Sequence, residues 1–219
     1  LNVWGKIVNQ DIEDAIVIEV YAKQFGWSAR YAGEDNKLGN ANVRFVGGKN
    51  ELGVISESTK NTQIILLDEK ISKLENEIIN SENPADKKLK SQRIEKLIKK
   101  KKILMTYFIT TPEDQLLAAA DDIVTKELHL PVGKKVLFKF RSQDVIHSAY
   151  LPHFRVQMNC VPGTTTQFAF TPTITTEAMK KEVENDLFEY VLLCNKICGN
   201  AHYNMQMKII VETQQEFDS

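Results

Sequence analysis

Tyr190-Val191-Leu192-Leu193-Cys194-Asn195-Lys196-Ile197-Cys198-Gly199-Asn200-Ala201-His202-Tyr203-Asn204-Met205-Gln206-Met207-Lys208-Ile209-Ile210-Val211 places a polar, ligand-rich segment between two apolar runs. The flanking runs, 190–193 and 207–211, are short and rich in Leu, Ile and Val, which predicts strands. Between them, two cysteines, a histidine and a methionine fall at spacings of four, four and three. Those spacings also suit one face of an amphipathic helix. Gly199 and Asn200 interrupt that face and disfavour a helix, so strand–loop–strand is the better reading. Thiolate, imidazole and thioether together are a soft ligand set of the kind copper favours. Structural zinc sites use Cys and His but no thioether.

The same strand grammar extends outward. Residues 16–21 and 43–46 are rich in β-branched or apolar side chains, and 167–170 read similarly. Val136, Phe138 and Phe140 alternate with Leu137, Lys139 and Arg141, as in a strand covered mainly on one side. Ala32-Gly33-Glu34-Asp35-Asn36, Pro162-Gly163 and Gly199-Asn200 mark turns. Short strands at these intervals predict a mainly β chain, a Greek-key β-sandwich.

One region departs from the pattern. Ile71, Leu74 and Ile78 recur at helical spacing, and Pro84 stands at the start of a second helical pattern through Leu89, Ile94, Leu97, Ile98 and Ile103. The pair predicts a helical hairpin inserted into the sandwich. The expected organisation is 1–65 as the N-terminal part of the sandwich domain, 66–118 as the helical insertion, and 119–219 as the remainder. The lysine run 99–102 has no interleaved aromatics. It therefore reads as a solvated helix face before a nucleic-acid or lipid patch.

Bulk composition sets wide bounds. The 219 residues are 42% apolar and 26% charged, with a formal net charge of −1, so no strongly acidic or nucleic-acid partner is indicated. No stretch reaches the ~20 apolar residues of a membrane span. With Leu1 in first place, the chain reads as a piece whose membrane anchor lies elsewhere. Three cysteines are too few for a disulfide scaffold, and Cys160 reads as a buried free thiol.

A further nitrogen ligand must come from His129, His147 or His153. His147 follows the Phe138/Phe140 strand, at a strand end where a sandwich presents residues to neighbouring loops. His129 reads as an edge-strand residue and His153 as a loop residue.

With these pieces in order, the chain resembles subunit II of the haem–copper cytochrome c oxidases, whose copper loop reads Cys-x-x-x-Cys-x-x-x-His-x-x-Met. Gln24-Phe25-Gly26-Trp27, Glu127-Leu128-His129-Leu130-Pro131-Val132-Gly133, Asp144-Val145-Ile146-His147-Ser148 and Val161-Pro162-Gly163 carry the resemblance beyond the loop. It implies a cupredoxin-like sandwich with a dinuclear copper centre, Cu-A. By resemblance, Cys194 and Cys198 bridge the metals, His147 and His202 bind one each, Met205 is a weak ligand and the carbonyl of Lys196 supplies the last bond. The implied function is electron transfer from cytochrome c or an equivalent donor to haem in oxidase subunit I. No catalytic residue is expected on the domain itself, which is a subunit of an oxidoreductase. Phe25 and Trp27 stand where electrons are expected to enter. The implied setting is the bacterial inner membrane, through N-terminal helices, with the domain facing the periplasm.

Lys196 stands where relatives usually carry a glutamate that helps hold magnesium, and Asn159 where they carry an aspartate. Both changes remove negative charge beside the expected metal. Alternative readings are the Cu-A domain of a nitrous-oxide reductase, which shares the loop spacing, and a thioredoxin-like copper-delivery protein. The latter family places proline after the second cysteine, where this chain has Gly199.

Overall fold

The computed structural model describes residues 12–48 and 50–219 and divides the chain into two units. The first takes in the described residues up to Leu38 together with Asp122–Ser219, and the second is Gly39–Asp121. Residues 1–11 of the expected 1–65 segment lie outside the described residues.

The first unit holds two five-stranded sheets. One contains β1 (Ile16–Lys23), β2 (Gly26–Tyr31), β3 (Ile123–Thr125), β5 (Val136–Ser142) and β8 (Thr166–Phe170), in the order β3-β2-β1-β5-β8. The other contains β4 (Leu128–Pro131), β6 (His147–Leu151), β7 (Val156–Cys160), β9 (Tyr190–Cys194) and β10 (Gln206–Glu212), in the order β4-β10-β9-β6-β7. The expected strands at 16–21, 136–140, 167–170, 190–193 and 207–211 all lie within these. This is the mainly β sandwich that the alternation predicts, in keeping with the cupredoxin-like fold that the resemblance implies.

Register explains the core. β1 and β5 pair in parallel with Ile18 opposite Phe138 and Val20 opposite Phe140. Because side chains alternate between faces, these residues share the inner face with Ala22 and Val136, and all are fully buried. Leu128, Leu130, Ala149, Leu192 and Ile209 meet them from the second sheet. Burying one such Phe or Leu contributes about 1.5–3 kcal/mol. The outer face of the first sheet is mixed and carries a buried ionic cluster around Glu19 and Arg30. There Glu19 accepts from Arg30 Nε at 2.8 Å and Arg141 Nη1 at 2.7 Å, while Arg30 Nη1 donates to Asp122 at 2.9 Å. Leu137 departs from the expected alternation, being buried outside the sheet with Ala15 and Ala169.

In the second unit, α1 (Glu57–Ile79) and α2 (Pro84–Thr110) form the hairpin, followed by the short α3 (Glu113–Ala118). α1 starts at Glu57, ahead of the expected helical start at 66. Ser56 caps it: its Oγ accepts from Thr59 N at 3.2 Å, and its own N–H donates to Thr59 Oγ1 at 2.9 Å. Pro84 opens α2 beneath an Asn83 cap that accepts from Ala85 N at 2.9 Å.

Two further expectations need correction. Residues 43–46 do not form a strand, because Asn42 folds Val43–Phe45 into a 3-10 turn, its Oδ1 accepting from Arg44 N and its carbonyl from Phe45 N. Residues 39–65 do not belong with the sandwich. Phe45 and Ile55 pack with Leu67, Leu104 and Phe108, so this segment supplies the core of the helical unit. No helix among the described residues is long and apolar enough to cross a membrane.

Candidate metal centre

The strand–loop–strand reading of 190–211 converges at one end of the second sheet. β9 ends on Cys194 and β10 begins just after Met205. The two strands pair antiparallel, and Cys194 N donates to Met205 O at 3.0 Å, which closes the neck of the loop. β6 lies on the other side of β9 with Ala149 opposite Cys194, so its first residue, His147, stands beside the loop.

The donor atoms form a continuous run. His147 Nδ1 is 3.8 Å from Cys194 Sγ, and Cys194 Sγ is 3.3 Å from the carbonyl of Lys196 and 3.9 Å from Cys198 Sγ. Cys198 Sγ in turn lies 3.6 Å from His202 Nδ1 and 3.8 Å from Met205 Sδ. All six residues expected from the sequence are thus brought together. His147, Cys194 and Cys198 alone form a group able to hold a metal ion. His147 and Met205 are buried, whereas His202 and Cys194 are half-buried.

The histidine is oriented by its surroundings. Its Nε2 lies 2.9 Å from Asp144 Oδ1, and a carboxylate can only accept, so the ring proton sits on Nε2 and the free lone pair of Nδ1 faces Cys194 Sγ. Partial burial pushes the Asp144 carboxyl up. The Gln24 N–H, the His147 ring and the Val145 N–H outweigh that effect and hold it below its ordinary value. In the metal-free chain, burial and then the neighbouring Cys194 push the Cys198 thiol up to about 11. A metal taken up by this thiol at neutral pH would have to displace its proton.

Phe25 and Trp27 separate. Phe25 is 40% exposed at the surface, next to Gly199. Trp27 is buried; its Nε1 donates to Met205 O at 3.4 Å and its ring meets that of His147 edge-on at 6.2 Å. The other histidines stay apart from the cluster. His129 lies on edge strand β4 with Nδ1 3.0 Å from Glu212, and His153 packs against Phe188 and Tyr190. Cys160 is a buried free thiol that burial pushes up to about 12. No local pattern marks Gln24, yet its Nε2 donates to the carbonyl of Cys198. That contact joins residues 174 positions apart.

Two thiols, two imidazoles, a thioether and a carbonyl at the end of a β-sandwich define a cupredoxin-like, copper-type site; the soft donor set fits that metal and not a structural zinc. Residues 97–214 match the family model described as cytochrome c oxidase subunit II, periplasmic domain, and the chain belongs to that family. Among its relatives is the alternative cytochrome c oxidase subunit 2 of Bradyrhizobium diazoefficiens, 27% identical over 99% of this chain and 53% of the relative. The cytochrome c oxidase subunit 2 of Thermostichus vulcanus is 36% identical over 44% of this chain and 26% of its own length. A solved structure of the periplasmic domain of cytochrome oxidase subunit II from Bradyrhizobium japonicum aligns with a TM-score of 0.44 at 16% identity, covering 94% of this chain and 90% of that one. The chain spans about half the length, or less, of these two relatives.

Proposed function

We propose that this domain is the Cu-A electron-transfer module of a cytochrome c oxidase. In this reading it accepts electrons from cytochrome c or an equivalent donor and passes them to haem in subunit I for oxygen reduction. The parent protein sits in the bacterial inner membrane with this domain in the periplasm. Cys194 and Cys198 would supply the thiolate ligands of a copper pair, His147 and His202 its imidazole ligands, and Met205 and the Lys196 carbonyl would complete the set. The observation that carries the reading is the unbroken run of six donors, with His147 locked by Asp144.

A bound copper pair supplies one-electron chemistry with the electron shared over both metals. The chain's own residues supply the cradle. The loop neck between Cys194 and Met205, the Trp27 brace and the Asp144 clamp restrain the donors, which limits rearrangement between redox states.

Copper titration followed by electron paramagnetic resonance tests the reading. Uptake of two coppers with a single shared-electron signal is expected, and Cys198→Ser should abolish it. One zinc per chain with no copper uptake would sink it. The family finding weighs against a nitrous-oxide reductase and a delivery protein.

Donor docking follows the apolar surface of the loops. Ile197 is 87% exposed and Tyr203 88%, and Phe25 and Ile146 are also exposed. Lys196 and Asn159 supply no negative charge there, and exposed charges are screened over about 8–10 Å at physiological salt. The association rate with the native donor should therefore fall only shallowly with ionic strength and drop on Phe25→Ala. A steep salt dependence would show that acidic residues dominate docking.

A further inference from the structure

Gln24 carries none of the donor atoms, yet it touches both chain segments that bring them together. It lies in the turn between β1 and β2. Its backbone N–H donates to Asp144 Oδ2 at 2.8 Å, and the other oxygen of that carboxylate pairs with His147 Nε2 at 2.9 Å. Its side-chain Nε2 donates to the carbonyl of Cys198 at 2.5 Å. One residue thereby ties the histidine segment to the thiol loop, across separations of 120 and 174 positions.

Gly199 makes the approach possible. Its φ of +142° is one that other residues rarely adopt, and a Cβ there would lie 2.8 Å from the Phe25 ring and 2.9 Å from Gln24 Nε2. The loop closes onto the turn because position 199 has no side chain.

We infer that Gln24 is a positioning residue for the metal centre, holding the Cys198 backbone and the Asp144–His147 pair at a fixed separation before metal arrives. Its functional meaning rests on the copper reading above, whereas the tether is a property of the metal-free chain. Fixing the Cys198 carbonyl fixes the backbone from which its Sγ projects. Binding then orders fewer bonds, the general advantage of a preorganised site. If the amide only filled space, its loss would lower stability and leave the loop's own motion and metal affinity unchanged.

The test uses the full chain with Gln24→Met, which keeps length and removes the donor, and Gly199→Ala, which pushes the loop off the turn. Three quantities are read: amide hydrogen exchange over residues 195–204 without metal, the copper dissociation constant with its visible spectrum, and the denaturant midpoint of the metal-free protein. For Gln24→Met the midpoint should stay at the wild-type value. Exchange across the loop should rise several-fold, copper affinity should fall about tenfold, as for other partners just outside a metal's ligands, and the absorption bands should move. Gly199→Ala should shift exchange and affinity in the same directions. Wild-type exchange and affinity in Gln24→Met would overturn the inference, and so would losses that merely track a lowered midpoint. A loosened loop in a protein whose wild type takes up no copper would support the tether while sinking the copper reading.

Discussion

The sandwich and the helical hairpin are built to different standards. In the sandwich, Ile18, Val20, Phe138, Phe140, Leu192 and Ile209 are all wholly buried, and they lie on facing sheets. In the hairpin, the buried residues of α1 are Gln63 and Leu67 and those of α2 are Leu104 and Phe108, although the helices run for 23 and 27 residues. Beyond that base, Ile71, Leu74, Ile78, Ile94 and Leu97 are half-buried, and Ile79 is 75% exposed. Ion pairs across the helices, Lys101–Asp68 at 2.6 Å and Lys90–Glu77 at 3.4 Å, are partly exposed and worth at most about 1 kcal/mol each. Dense packing is found in the unit that brings the six donor atoms together. The distal hairpin is held mainly by its own helical hydrogen bonds and a narrow seam.

This contrast breaks first at Phe138. Phe138→Ala should cost the sandwich about 3–5 kcal/mol in denaturant unfolding, because the ring leaves a cavity against Phe140 and Phe170, its stacked neighbours at 5.8 and 5.2 Å. A cost under about 1 kcal/mol would mean that the core is looser than the burial implies. The base of the hairpin should respond next. Leu104→Ala should cost the helical unit about 2–4 kcal/mol, read by hydrogen exchange in α1 and α2, whereas Ile79→Ala should stay within about 0.5 kcal/mol. Equal costs at the two positions would erase the distinction between base and tip. The cap at Asn83 is a smaller lever: Asn83→Ala should cost about 1 kcal/mol, measured the same way. The smallest effect is the sharpest check. Replacing residues 71–98 by a short Gly/Ser linker keeps Leu67 and Leu104 and should leave the copper spectrum unchanged, since all six donors lie in the other unit. Loss of that spectrum in a folded deletion variant would show that the hairpin builds the site.

What was legible in the sequence follows the range of the interactions. Cys194, Lys196, Cys198, His202 and Met205 share one loop between two apolar runs, so spacing alone places them together. His147 was legible because a strand end is where a sandwich presents residues, and β6 begins on it. The start of α1 was missed because its capping box uses Thr59 in place of the usual Glu or Gln, ahead of any apolar period. Residues 43–46 look extended by composition, but one asparagine side chain bends them. Assigning 39–65 to the sandwich failed because nothing local tells Phe45 and Ile55 which core they join. Gln24 belongs to the Gln24-Phe25-Gly26-Trp27 stretch, and only the fold brings it to Cys198.

The place of β10 has a consequence for how the protein is made. This strand comes after every donor in the sequence, yet in the sheet it lies between β4 and β9. A polypeptide halted at Met205 has synthesised all six donors and still lacks the strand that joins β4 to the rest. Its β9 pairs with β6 alone, and the Met205 end of the loop keeps only its contacts with Cys194 and Trp27. Ribosomal stalling or proteolytic trimming at that point should yield thiols able to scavenge metal loosely but unable to hold it in the native arrangement. Copper retention against a competing chelator thus becomes an assay for whether the last strand was made.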